Sequence, residues 1–124
     1  MINENIYQYI YDELSKYFTP NWSNLIVYLE YGNASYSFMF YIKEDDKYVK
    51  CYDIPNVSEK EIAKSFANID KLISRERNNQ EDKCWTNMTM IVTKTGQMHT
   101  DFDYTDLSEG NYQFKKNWKK KYLG

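Results

Sequence analysis

The sequence predicts an α+β fold: a mainly antiparallel sheet of about five strands carrying three helices, in the order α-β-β-β-α-β-β-α, within a single domain spanning residues 1–124. Three observations predict it. Apolar residues recur at three- and four-residue steps in two stretches, from Ile6 to Phe18 and from Ile62 to Ile73, as helices require. Other stretches alternate at a period of two, as in Tyr36, Phe38, Phe40 and Ile42. The links between the alternating stretches are short and turn-prone, which favours antiparallel neighbours over the long crossovers of a doubly wound sheet. A chain of 124 residues is long enough to bury one core without staples.

Each element has its own signal. The first helix rests on Ile6, Ile10, Leu14 and Tyr17/Phe18, with Tyr9 on its flank, Asn3 or Asn5 to cap it and Thr19-Pro20 to stop it. Leu25 to Tyr31 is apolar and β-prone, and Gly32-Asn33 turns it into Ser35 to Lys43. Glu44-Asp45-Asp46 makes the next turn. Lys47 to Tyr52 then forms a third strand, with Val49 and Cys51 opposite Tyr48, Lys50 and Tyr52. Ser58 and Glu61 have the spacing of a capping box, so a helix starts at Glu59 and carries Ile62, Phe66, Ile69, Leu72 and Ile73 inward. The polar run Arg77 to Lys83 ends it. Cys84 to Thr93 and Gln97 to Tyr104 form a hairpin about Lys94-Thr95-Gly96, with Met98, Thr100, Phe102 and Tyr104 on one face and His99, Asp101 and Asp103 on the other. Ser108 is placed to cap a final helix whose Phe114, Trp118 and Tyr122 make one docking stripe.

Composition excludes much chemistry. Cys51 and Cys84 have no CxxC spacing and no histidine cluster beside them, so both are expected as small buried hydrophobes, with neither disulfide nor zinc. The four glycines are too dispersed for a phosphate-cradling loop, and a single histidine is a poor inventory for a hydrolase. No stretch approaches the roughly 20 apolar residues of a membrane span, and the amino terminus lacks a secretory pattern. A cytoplasmic binding protein with no cofactor, no bound metal and no membrane contact is the expectation.

Charge is unevenly spread. Lys115, Lys116, Lys119, Lys120 and Lys121 hold five of the sixteen basic charges, leaving residues 1–114 with eleven basic against eighteen acidic groups. Such an acidic body repels nucleic acid but steers basic proteins into encounter. Asp101, Asp103, Asp106 and Glu109, with Glu44, Asp45 and Asp46, are therefore the candidate partner-binding residues. Tyr28, Tyr31, Tyr36, Tyr41, Tyr48 and Tyr52, all on expected strands, suit either an interface or a half-wet sheet. Two other classes compete. His99, Asp101 and Asp103 stand about 6.6 Å apart in succession on one strand face and, with Asp106, could serve a metal-dependent nuclease or phosphodiesterase. The terminal lysines beside Tyr112, Phe114, Trp118 and Tyr122 could bind nucleic acid, although the acidic body argues against direct nucleic-acid contact.

Asp53-Ile54-Pro55 after a strand, Trp85-Thr86 opening a later one, Gly96 at its turn, and Asp101 to Asp106 leading to Trp118-Lys-Lys-Lys-Tyr122-Leu123 together resemble the YezG-like immunity or antitoxin family of bacteria. The resemblance implies a small cytoplasmic protein, not an enzyme, that binds its cognate toxin tightly. The implied partner is the basic nuclease domain of a large secreted antibacterial toxin.

Overall fold

The computed structural model describes residues 4–32, 35–78 and 84–124. Its elements are α1 (Glu4–Ser15), β1 (Trp22–Gly32), β2 (Ser35–Glu44), β3 (Lys47–Lys50), a 3-10 turn (Cys51–Asp53), α2 (Glu59–Asn78), β4 (Asn87–Thr93), β5 (Met98–Asp103) and α3 (Tyr112–Tyr122). The strands form one antiparallel sheet in the order β3-β2-β1-β4-β5. The expected α+β class and element order are both present.

Strand β1 lies at the centre, and its sequence says why. Leu25 through Leu29 are all buried, an unbroken apolar run that only a strand covered on both faces can use. Leu25, Val27, Leu29 and Tyr31 face α1 and α2, together with Phe40, Ile42 and Met88, and the helices return Ile10, Leu14, Ile62 and Ile69. Ile26 and Tyr28 face the other way, where Tyr41 and Trp118 close a smaller cluster under α3. The sheet is thus a middle layer, with two helices on one side and the third on the other.

Several boundaries differ from the sequence reading, each for a local reason. Helix α1 ends at Ser15, not at Thr19-Pro20, and Tyr17 reaches the core from the following turn, its amide donating to the Leu14 carbonyl at 3.0 Å. The third strand stops at Lys50, because Cys51 swings into the core, fully buried, and opens a 3-10 turn. Strand β4 begins at Asn87 instead of Cys84. Trp85 drops into the core ahead of it, where Arg77 stacks its guanidinium 4.9 Å from the indole and donates to the Trp85 carbonyl at 2.6 Å. Cys84 is only half-buried, its thiol 3.1 Å from the Arg77 carbonyl. The Ser58/Glu61 capping box forms as expected, the Glu61 amide donating to Ser58 Oγ at 3.1 Å and the Ser58 amide to Glu61 Oε1 at 3.4 Å. Ser108 caps nothing: it lies in a turn, and α3 starts after Asn111. The expected cap at Asn3, the turn residue Asn33 and the tail of the polar run, residues 79–83, lie outside the described residues.

Candidate functional site

The register of β4 and β5 decides where the acidic segment points. Ile91 pairs with His99, Thr89 with Asp101 and Asn87 with Asp103, so all three β5 residues share the face covered by α3. Helix α3 is pinned there through Trp118, whose ring lies 5.0 Å from Tyr28 and 5.8 Å from Tyr41 and whose indole N–H donates to the buried Thr89 hydroxyl at 2.8 Å. One turn later the Tyr122 hydroxyl donates to Asp101 Oδ2 at 2.6 Å, while His99 Nε2 sits 2.7 Å from Asp101 Oδ1. At its start, the Asn111 amide donates to Glu30 Oε2 at 2.8 Å.

Between β5 and α3 this leaves a groove of about 340 Å³, walled on the strand side by Asn87, Asp101 and Asp103 and on the helix side by Phe114, Trp118, Tyr122 and Lys121, which also borders the groove on the other side of the helix end. Its carboxylates are kept ionised. The Tyr122 hydroxyl bond, more than any other contact, holds Asp101 below its ordinary value, with His99 and the charge of Lys121 adding to it and partial burial opposing. Burial pushes Asp103 up, but hydrogen bonds from Thr105 and Asn87 and the charge of Lys121 together outweigh it and leave the group lowered. Burial and the bond to Asp101 push Tyr122 up to about 12, so it stays a donor. Negative charge beside aromatic faces, in one groove, is the arrangement that suits a guanidinium or ammonium side chain.

The remaining acidic candidates divide into two groups. Asp106 and Glu109 follow in the link from β5 to α3 and are exposed near the Asp103 end of the groove, Asp106 Oδ1 accepting the Ser108 amide at 2.9 Å. Glu44, Asp45 and Asp46 are not brought to them. They lie at the opposite edge and opposite end of the sheet, a separation on the order of 25 Å from strand spacing and rise. Asp45 and Asp46 have φ of 50° and 64°, the two left-handed residues of a two-residue hairpin loop, which gives them a folding reason to be there. Among the described residues no three His, Cys, Asp or Glu side chains gather as a metal site would need. Of the terminal lysines, Lys115 lies 5.9 Å from the Tyr28 ring on the β3 side of α3 with Lys119, Lys121 is 5.1 Å from Tyr122 at the helix end, and Lys116 and Lys120 are exposed. None of the described helices is long and apolar enough to cross a membrane.

A family model described as Immunity protein YezG-like matches residues 3–124. The chain belongs to the YezG-like immunity protein family. It is similar to Immunity protein YezG of Bacillus spizizenii (strain ATCC 23059 / NRRL B-14472 / W23), 32% identical over 135 residues covering 97% of this chain and 81% of the relative. Immunity protein YezG of Bacillus subtilis (strain 168) is 25% identical over 132 residues, covering 98% and 87%. A YezG-like immunity protein acts by binding its cognate toxin and is no enzyme, which sets aside the phosphodiesterase reading of His99, Asp101, Asp103 and Asp106.

The sequence alone missed two things about this face. Asp101 and Asp103 are also structural, tying down α3 and the loop after β5, and Asn87 and Thr89 supply the groove's buried polar floor. Alternation in Cys84 to Thr93 could have marked Asn87 and Thr89 as facing the same way as Asp101. Only the strand pairing says that α3 lies over them.

Proposed function

We propose that this immunity protein neutralises a nuclease domain of a bacterial secreted toxin in the cytoplasm of the cell that carries it, and that it grips basic side chains of that domain with the groove between β5 and α3. The supporting observation is the pair of ionised carboxylates, Asp101 and Asp103, set beside the rings of Phe114, Trp118 and Tyr122. A nuclease presents arginine and lysine where phosphates bind, and carboxylates placed there occupy the phosphate positions. Asp106 and Glu109 extend the field beyond the groove and accelerate capture, while the aromatic walls slow escape. Glu44, Asp45 and Asp46 are too distant to share the same grip.

The test is a charge-neutral variant, Asp103→Asn with Asp106→Asn and Glu109→Gln. Asparagine keeps the oxygens that accept the Thr105 and Ser108 amides, so the fold is retained. With the cognate toxin domain, the association rate should fall at least about tenfold and lose most of its salt dependence. Unchanged rates would move the contact elsewhere. A toxin domain that cleaves neither DNA nor RNA would remove the nuclease assignment.

A further inference from the structure

On the other side of α3 the same sheet face carries the opposite charge. An open groove of about 1010 Å³ runs between β3 and α3, with Lys43 and Lys50 on the α3 face of the hairpin, Lys47 at its edge on the alternate face, and Lys121 at the helix end. A small dimple of about 90 Å³ continues it along the helix, sharing Lys50 and Tyr41 and adding Lys115 and Lys119. Asp46 and Asp53 are the acids on the rim. Tyr48 and Tyr28 lie under two of the ammonium groups, Lys43 at 5.4 Å and Lys115 at 5.9 Å from their ring centres.

Local folding reasons account for parts of this cluster but not for its convergence. Lysines on an edge strand discourage stray pairing, which explains Lys47 and Lys50. Lysines in a last helical turn complement the helix dipole, which explains Lys119 and Lys121. Neither reason requires Lys43 and Lys50, which alternate onto the α3 face of the sheet, to stand beside the helix lysines. An anionic occupant is the charge complement of that arrangement.

We infer that the groove between β3 and α3 is a second docking surface, cationic in character, that takes an acidic segment of the toxin polypeptide. This rests on the reading that the α3 face is the toxin contact. An acidic polypeptide suits the groove better than nucleic acid, because a phosphate backbone carries uniform negative charge and would run it past Asp46 and Asp53. A peptide with spaced carboxylates can place them on the lysines alone. The two grooves together then set orientation as well as affinity: a toxin surface with basic and acidic parts fits this face in one register, and the reversed register meets like charge on both sides of the helix.

The probes are fluorescein-labelled short peptides rich in aspartate and glutamate, matching peptides rich in arginine, and a single-stranded oligonucleotide of equal charge, each titrated against the full chain at low ionic strength. The test variant is Lys50→Glu with Lys119→Glu, positions that are exposed and do not line the acidic groove. Its neutral counterpart, with glutamine at the same two positions, guards against a folding defect. The acidic peptide should lose affinity by about tenfold or more in both lysine variants, while the arginine peptide is unaffected by them and is weakened by the Asp103/Asp106/Glu109 variant instead. Acidic-peptide binding that is absent, or indifferent to the lysines, would overturn the inference and leave the acidic groove untouched. Tighter binding of the oligonucleotide, or a dimer of the chain that the lysine changes dissociate, would overturn it in favour of those occupants.

Discussion

The two faces of the sheet are built on different terms. Toward α1 and α2, the strands offer Leu, Val, Ile, Phe and Met to helices that return Ile, Leu and Phe, and two tyrosines that enter are paired: Tyr17 lies 2.6 Å from the Ser65 hydroxyl, and Tyr31 donates to Asp70 at 2.7 Å. Toward α3 the strands offer Tyr28, Tyr41, Asn87 and Thr89, and the helix is held by one tryptophan and a few directed hydrogen bonds. The first face excludes water over most of its area and supplies the bulk of the hydrophobic stabilisation. The second leaves a groove on each side of its helix, one acidic and one basic. A small immunity protein must stay folded while presenting charge, and here the two demands are carried by opposite faces.

That contrast can be broken first where it is most costly. Phe40, fully buried between the sheet and α2, should lose about 3–5 kcal/mol on change to alanine, read from denaturant unfolding as one cooperative transition. Trp118→Ala should cost about 3 kcal/mol and act differently: the amides of α3 lose their hydrogen-exchange protection while those of β1 and β2 keep theirs. Loss of protection throughout the sheet would mean that α3 belongs to the main core after all.

A smaller effect sharpens the same point. Tyr122→Phe removes the bond to Asp101 and should cost about 1 kcal/mol near neutral pH. Because Asp101 titrates below its ordinary value of 3.8, its contribution is full above about pH 4 and drains away as pH falls through the folded value. The variant should therefore lose part of that acid dependence, which thermal melts across pH 2–6 would measure (range set by roughly the carboxylate values). An unchanged profile would show that the tyrosine does not hold the carboxylate down.

Much of the architecture was legible because it is local. The stripe of Ile62, Phe66, Ile69 and Ile73, the capping box at Ser58 and Glu61, and the alternation of Phe38, Phe40 and Ile42 each state their structure within a few residues. The sheet order was not legible: Leu25 to Tyr31 reads as an apolar strand, and only the pairing puts it at the centre. Features that depend on distant partners were not legible. The swing of Cys51 off the strand and the placement of Arg77 against Trp85 follow from space left by other elements. The same holds for the site: the acidic positions on β5 could be nominated from alternation, but the basic groove needs Lys43 and Lys50 to meet a helix sixty or more residues away, and no local pattern announces it.

On the proposed function the α3 side meets the toxin and the α1/α2 side does not. Hydrogen exchange on the complex with the cognate toxin domain reads both sides in a single experiment. Exchange should slow in β5 and α3, residues 98–103 and 112–122, and stay as in the free protein over residues 4–15 and 59–78. Protection confined to those two helices, with β5 and α3 unchanged, would contradict the account.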